Sequence, residues 1–312
     1  MKIVKASVEI LKSASNESLA QRVERIGRVC YKSEAKITEG SAERFVRNLI
    51  ASGHESVLEH ADIALEVSRR AMVEAEYDMD LLKYGGFENF LKTTHENRTI
   101  ISGNIRAWRD FLNARGSVPW YCREMVLEHK LFFPEFDRWS VYDRANTRGD
   151  KVWQISTDEL TKKIEKLKHK RVTVRFICDR GVSHEIVRHR TASFSQESTR
   201  YCNYSKDAFG GEISVVEPLY LVDNPKAYAI WKTACSAAES AYFAMLNLGS
   251  SPQEARAVLP NSLKTEIIMT TNLEGWKHFF DLRLSKGSHP QMREVAGIAY
   301  ELLKAENPGI FD

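Results

Sequence analysis

RVTVRFICDRGVSHEIVRHRTASFSQESTRY, residues 171–201, is the stretch whose reading decides the fold. Its first nine residues are rich in β-branched side chains and read as a strand. Arg180-Gly181 reads as a turn, and SHEIVRHR then opens a helix with Ser183 as its N-cap. A cluster of arginine, histidine and hydroxyl side chains is thereby placed at a strand, turn and helix junction.

Outward from this junction the chain alternates between helical and extended patterns. KIVKASVEIL alternates as a strand does, and NESLAQRVERIGRVCY carries Leu19, Val23, Ile26 and Val29 at helical spacing after Asn16 and Ser18. SAERFVRNLIASG predicts a second helix stopped by Gly53, and Ala61 to Val67 a buried strand. Towards the C-terminus, NPKAYAIWKTACSAAESAYFAMLNLG predicts a long helix ended by Gly249, SPQEARAVLP a short helix, and KTEIIMTTN a strand. NLEGWKHFFDLRL and HPQMREVAGIAYELLKAE complete the chain as helices. Between about residues 68 and 170 the helix-like NIRAWRDFLNAR is mixed with the aromatic loops SVPWYCREM and HKLFFPEFDRW. DELTKKIEKLKHKR reads as an exposed helix whose interleaved charges face solvent.

The composition narrows the functional classes. With 312 residues and 43% hydrophobic content the chain can bury a sizeable core. Its 45 basic and 42 acidic residues leave a net charge of +3, so chain-wide attraction to nucleic acid is not expected and anion recognition must be local. Five cysteines form no CxxC pair, which suggests a reducing, cytoplasmic setting. No apolar run approaches the roughly 20 residues of a membrane helix, and no partnership with a membrane is expected.

Metal chemistry does not fit the spacings. His54 and His60 stand at i and i+6, and His184 and His189 at i and i+5, where a zinc helix needs i and i+4. Cys202 lacks a histidine to activate it and reads as a buried cysteine, and Ser198 has no elbow of glycines around it. Anion recognition remains. On a helix begun near Ser183, Glu185, Arg188 and His189 share a face, while the turn beyond would free backbone N–H groups near Gln196 to Ser198. Such a site suits a nucleotide.

Arg188-His189-Arg190, seven residues and then Ser198 resembles the RHR-x7-S signature of the flavin-dependent thymidylate synthases, the ThyX family. GHESVLEH, EARAVLP and TTNLEGWKHFFDLR are similar to further family elements and occur in the family's order. The resemblance implies methylation of dUMP to dTMP, with methylenetetrahydrofolate as carbon donor and NADPH-reduced FAD as hydride source. It implies that Ser56, Arg188, His189, Arg190, Gln196, Asn272, Leu273, Glu274 and His278 hold FAD. Asn272 is equally suited to cap its helix. It further implies that Glu185, Arg188, Gln196, Glu197, Ser198, Thr199, Arg200, Arg256 and Arg283 bind dUMP, with Arg200 and Arg256 at the phosphate. Arg283 would be the catalytic residue, pairing with negative charge that develops on the uracil. The resemblance also implies an α/β (α+β) fold, a curved mixed sheet flanked by helices, assembled as a homotetramer with shared active sites.

Two features depart from the family pattern. Glu185 stands where many members carry glutamine. His54 and Arg188 are 134 positions apart, which implies a helical insertion at about residues 70–168 within a single catalytic domain spanning 1–312. That insertion is expected to protrude, with Trp108, Trp120, Phe132, Phe133, Phe136 and Trp139 packed at an interface or lid. The alternatives are a non-catalytic flavin- or nucleotide-binding paralogue and a nucleic-acid binder.

Overall fold

The computed structural model describes residues 1–14, 16–68, 90–94, 98–136, 152–206 and 209–312. In chain order these residues form β1 (Lys2–Val4), β2 (Ser7–Ile10), α1 (Leu19–Val29), α2 (Ser41–Ala51), β3 (Asp62–Ser68), β4 (Phe90–Thr94) and β5 (Arg98–Asn104). There follow α3 (Ile105–Arg115), α4 (Arg123–Glu128), β6 (Val152–Ile155), α5 (Lys163–His169), β7 (Arg171–Asp179), α6 (Arg180–Ile186) and β8 (Ser193–Gln196). The chain closes with β9 (Ser214–Val216), α7 (Pro225–Asn247), α8 (Pro252–Ala255), β10 (Lys264–Asn272), α9 (Leu273–Arg283) and α10 (Pro290–Glu306).

The principal sheet runs β2-β7-β10-β8, and each neighbouring pair is antiparallel. β10 lies against β7 over its full length, from Lys264 opposite Asp179 to Asn272 opposite Arg171. Every residue from Thr265 to Thr271 is buried, so both faces of β10 are covered. Successive side chains point to opposite faces. Ile267 and Met269 pack with Val174, Phe176, Trp276 and Phe279 under α9 and α10, whereas Ile268 packs with Ile26 and Val29 of α1. Each such fully buried side chain contributes roughly 1.5–3 kcal/mol.

A second antiparallel sheet runs β4-β5-β3-β6, and β1 pairs with β9 in parallel. The helix-and-sheet class agrees with expectation, and the two larger sheets are antiparallel throughout. The stretch expected as a helical insertion carries strands as well: β4, β5 and β6 join β3 in one sheet. Nor do its described residues stand away from the rest. Trp108, Phe111, Phe132, Phe133 and Phe136 form one buried cluster with Val23, Val46 and Leu49 of α1 and α2, with Trp120 packed against it. Trp139 lies outside the described residues.

Local signals placed several boundaries. Ser18 caps α1 in a capping box with Gln21, and Gly249 adopts φ +93 after α7. The helix expected in DELTKKIEKLKHKR is not wholly solvated. Glu165 is buried and paired to Arg98 at 2.8 Å, and buried His169 sits between the hydroxyls of Thr93 and Ser102 at 2.8 and 2.7 Å. All five cysteines are free. Among the described residues no helix is long and apolar enough to cross a membrane.

Candidate active site

The junction after β7 is tighter than the sequence suggests. α6 begins at Arg180, with no separate turn, because Asp179 at the end of β7 is the N-cap and accepts from Val182 N at 2.6 Å. Ser183 lies inside the helix, its hydroxyl donating back to Arg180 O at 2.9 Å. The helix stops at Ile186, so the expected shared face of Glu185, Arg188 and His189 does not form. Arg188 is exposed, whereas His189 is buried.

Glu185 and His189 instead converge on Arg283, the last residue of α9. Its guanidinium donates through Nε to His189 Nε2 at 3.0 Å, through NH1 to Glu185 Oε2 at 3.0 Å, and through NH2 to Glu185 O at 2.7 Å. Trp276 and Phe279, fully buried on the same helix, lead up to it. Burial, followed by the charges of Arg283 and His278, lowers the His189 pKa to about 4. His189 therefore accepts from Arg283 as neutral imidazole, with its ring packed 4.8 Å from Phe279 and 5.8 Å from His278 between centroids.

The segment after β8 forms a second group. Gln196 donates through its amide to Ser183 Oγ at 2.9 Å and Thr265 Oγ1 at 3.1 Å. The backbone N–H groups expected to be free here are engaged: Glu197 N donates to Glu266 O at 2.8 Å and Ser198 N to Cys30 O at 3.0 Å. They are used because Ser193–Gln196 forms a short strand on β10 and α1 ends against it. Thr199 Oγ1 lies 3.4 Å from the guanidinium of Arg256. Arg200 is exposed and lies over the Tyr201 ring, which in turn faces Tyr31 at 5.2 Å. Both arginines are exposed, Arg256 bonded to Thr199 and Arg200 next to it in the chain.

Beneath this group lies a charge network that sequence reading missed. Glu197 is 2% exposed and accepts from Lys264 Nζ at 2.7 Å, while Lys32 bonds Glu266 and stands 4.0 Å from Glu197. Lys32 adopts φ +46, a left-handed conformation uncommon outside glycine. The Lys264–Glu266 spacing on one strand hints at a shared face. Nothing local points to Lys32. Cys202 is buried as expected, and its thiol pKa is pushed up to about 12, mainly by burial.

The remaining candidates divide by exposure. Ser56 is exposed on the 3-10 turn Glu55–His60, and Arg190, Glu274 and His278 are exposed as well. Asn272 caps α9, accepting from Gly275 N at 2.8 Å and donating to Lys168 O at 2.9 Å. Leu273 has its side chain in the core and its N–H bonded to Lys170 O. The fold therefore brings together Glu185, His189, His278 and Arg283 in one group and Thr199 and Arg256 in another.

The α+β fold thus carries exposed arginines together with a neutral buried histidine and a paired guanidinium. The chain belongs to the family described as "Thymidylate synthase complementing protein", which matches residues 13–76 and 160–309. It is 38% identical over 119 residues to the flavin-dependent thymidylate synthase of Pyrococcus furiosus, covering 38% of this chain and 48% of that protein. To the flavin-dependent thymidylate synthase of Geobacter sulfurreducens it is 36% identical over 136 residues, covering 42% and 55%. The chain spans about half the length of these curated relatives. A crystal structure of the UMP/dUMP methylase PolB from Streptomyces cacaoi, bound with 5-Br dUMP, aligns over 100% of this chain and 95% of its own at 16% identity and a TM-score of 0.43.

Proposed function

We propose that this chain is a flavin-dependent thymidylate synthase that methylates dUMP to dTMP. The observation that carries the reading is Arg283, held by Glu185 and His189 at the end of an apolar helix face in a member of this family. The donor set fits both ligands. Arg256, bonded to Thr199, and exposed Arg200 present charge for a phosphate, while Arg188, Arg190 and His278 present exposed donors for a flavin and its diphosphate. Gln196, Ser198 and Thr199 belong to the nucleotide group, which Glu197 supports from beneath through its pairing with Lys264. Ser56, Asn272, Leu273 and Glu274 belong to the flavin group by family position. Bound FAD, reduced by NADPH, supplies the hydride, and methylenetetrahydrofolate the carbon. The chain's own part is to bind, orient and polarise. Arg283, a permanent cation mostly shielded from water, pairs with negative charge on the uracil ring, and neutral His189 holds the guanidinium in place without competing for that charge.

Residues between the two family-matched segments form an insertion within one catalytic domain. We infer assembly as a homotetramer with shared sites, in keeping with α7, whose 23 residues bury only Cys235 and Tyr242 and leave Ile230 72% exposed, with Leu248 just beyond its end 88% exposed. The five free thiols suit a reducing cytoplasm.

The test is an absorbance spectrum of the purified chain with FAD and dUMP, followed by NADPH and methylenetetrahydrofolate. A flavin band that bleaches and recovers as dTMP forms is the expected result. Flavin that binds without turnover favours a non-catalytic paralogue, and absence of flavin and dUMP binding overturns the reading.

A further inference from the structure

Helix α3, the NIRAWRDFLNAR stretch, lies in residues that the family match leaves out, yet it grips a segment inside that match. Arg109 is 2% exposed and donates to both carboxylate oxygens of Glu55, through Nε at 3.1 Å and NH2 at 3.2 Å. The same guanidinium donates to both carboxylate oxygens of Glu135, at 2.5 and 3.0 Å, and to Phe132 O. One turn earlier Arg106 donates to Glu59 Oε1 at 2.8 Å. Glu55 and Glu59 bracket Ser56 on the Glu55–His60 turn.

Val57 and Leu58 seat the middle of that turn in the core, and the ends are held by polar contacts. A 3-10 helix has poorer hydrogen-bond geometry than an α-helix, and this one follows Gly53 at φ +70, where the chain reverses out of α2. Its C-terminal side is fastened to the principal sheet and to α1, because His60 Nδ1 lies 2.7 Å from Thr270 Oγ1 of β10 and Arg22 of α1 donates to His60 O at 2.9 Å. Its N-terminal side, which carries Ser56, meets the two arginines of α3. The helix is itself set by the same region, since Ile105 N donates to Ala61 O at 2.9 Å and Trp108 Nε1 to Ile63 O at 3.2 Å. A bidentate, water-shielded guanidinium fixes a carboxylate in position as well as in distance.

We propose that α3 is a positioning element for the flavin-holding turn: Arg109 through Glu55 and Arg106 through Glu59 set where Ser56 stands, so the extra stretch of chain governs FAD affinity. This rests on the functional reading above. None of the four charged residues need touch the flavin. They act through the turn.

The experiment measures FAD affinity of the full-length chain by titration, together with far-UV circular dichroism, thermal unfolding and dUMP affinity at saturating FAD. The variants are Arg109→Lys, Glu55→Gln and Arg106→Ala. Glu55 and Arg106 are partly exposed, at 22% and 44%, so their variants keep the test open if Arg109→Lys fails to fold. Glu55→Gln and Arg109→Lys are expected to weaken FAD binding roughly tenfold, and Arg106→Ala about threefold, with dUMP affinity within about twofold of wild type. A purely structural role lowers the melting temperature and leaves FAD affinity unchanged. Folded variants at wild-type FAD affinity overturn this proposal alone. A wild-type chain that takes up no FAD overturns the functional reading and this proposal with it.

Discussion

Arg283 Nε stands 3.0 Å from His189 Nε2 and donates to it, so the imidazole is the acceptor and carries its proton on Nδ1. A protonated His189 would face the guanidinium with a second positive charge. Its lowered pKa, about 4, keeps it neutral through the physiological range. The pair is thus an arrangement in which one residue holds the charge and the other orients it.

Arg283→Ala should lower kcat about 10²- to 10³-fold, the range seen when a preorganised charge-stabilising donor is removed. Its charged partner Glu185 is 33% exposed and can be hydrated once the guanidinium is gone, so the melting temperature should move by only a few degrees. Steady-state kinetics and a thermal scan check both halves. Loss of activity through unfolding alone would remove the catalytic assignment.

Arg256→Ala should raise KM for dUMP roughly tenfold with a smaller change in kcat. The Arg256 side chain is exposed and, among the described residues, bonds the Thr199 hydroxyl at 3.4 Å. Deoxyuridine, which has no phosphate, should lose the distinction between wild type and variant. A variant that discriminates against deoxyuridine as strongly as wild type does would place the phosphate elsewhere.

Acid should destabilise the fold through three buried histidines. Burial lowers the pKa of His60 to about 3 and those of His169 and His189 to about 4, from an ordinary 6.5. Between pH 6.5 and about 4 the unfolded chain therefore binds protons that the folded chain refuses. Stability falls as pH falls through this window, by roughly 1.4 kcal/mol per pH unit for each histidine, and these groups add no slope above pH 6.5. His169→Gln should flatten the slope by one proton, as read from urea unfolding at pH 7, 6 and 5. An unchanged slope would show that His169 is not among the refused protonations.

Lys264→Met should cost about 3 kcal/mol, because it leaves the nearly inaccessible Glu197 carboxylate facing only the more distant Lys32. Adding Glu197→Leu should recover much of that loss by removing the unpaired charge. Denaturant unfolding of the two variants tests the coupling, and additive losses would contradict it.

Short-range signals made much of the architecture legible. KTEIIMTTN coincides with β10, Ser18 caps α1, and Gly249 ends α7, because strand propensity, capping and left-handed glycine each depend on a few neighbouring residues. The arginine, histidine and serine spacing was legible for the same reason, as a pattern along the chain. The true start of the helix after β7 was not. Asp179 prevailed over Ser183 because it sits where β7 ends, and that end is set by pairing with β10. Arg283 meets His189 across 94 positions, and Lys32 meets Glu266 across 234. The residue types and their order were determined by the sequence alone. Which of them share a site was decided only when sheet register and helix packing brought distant segments to hydrogen-bond distance.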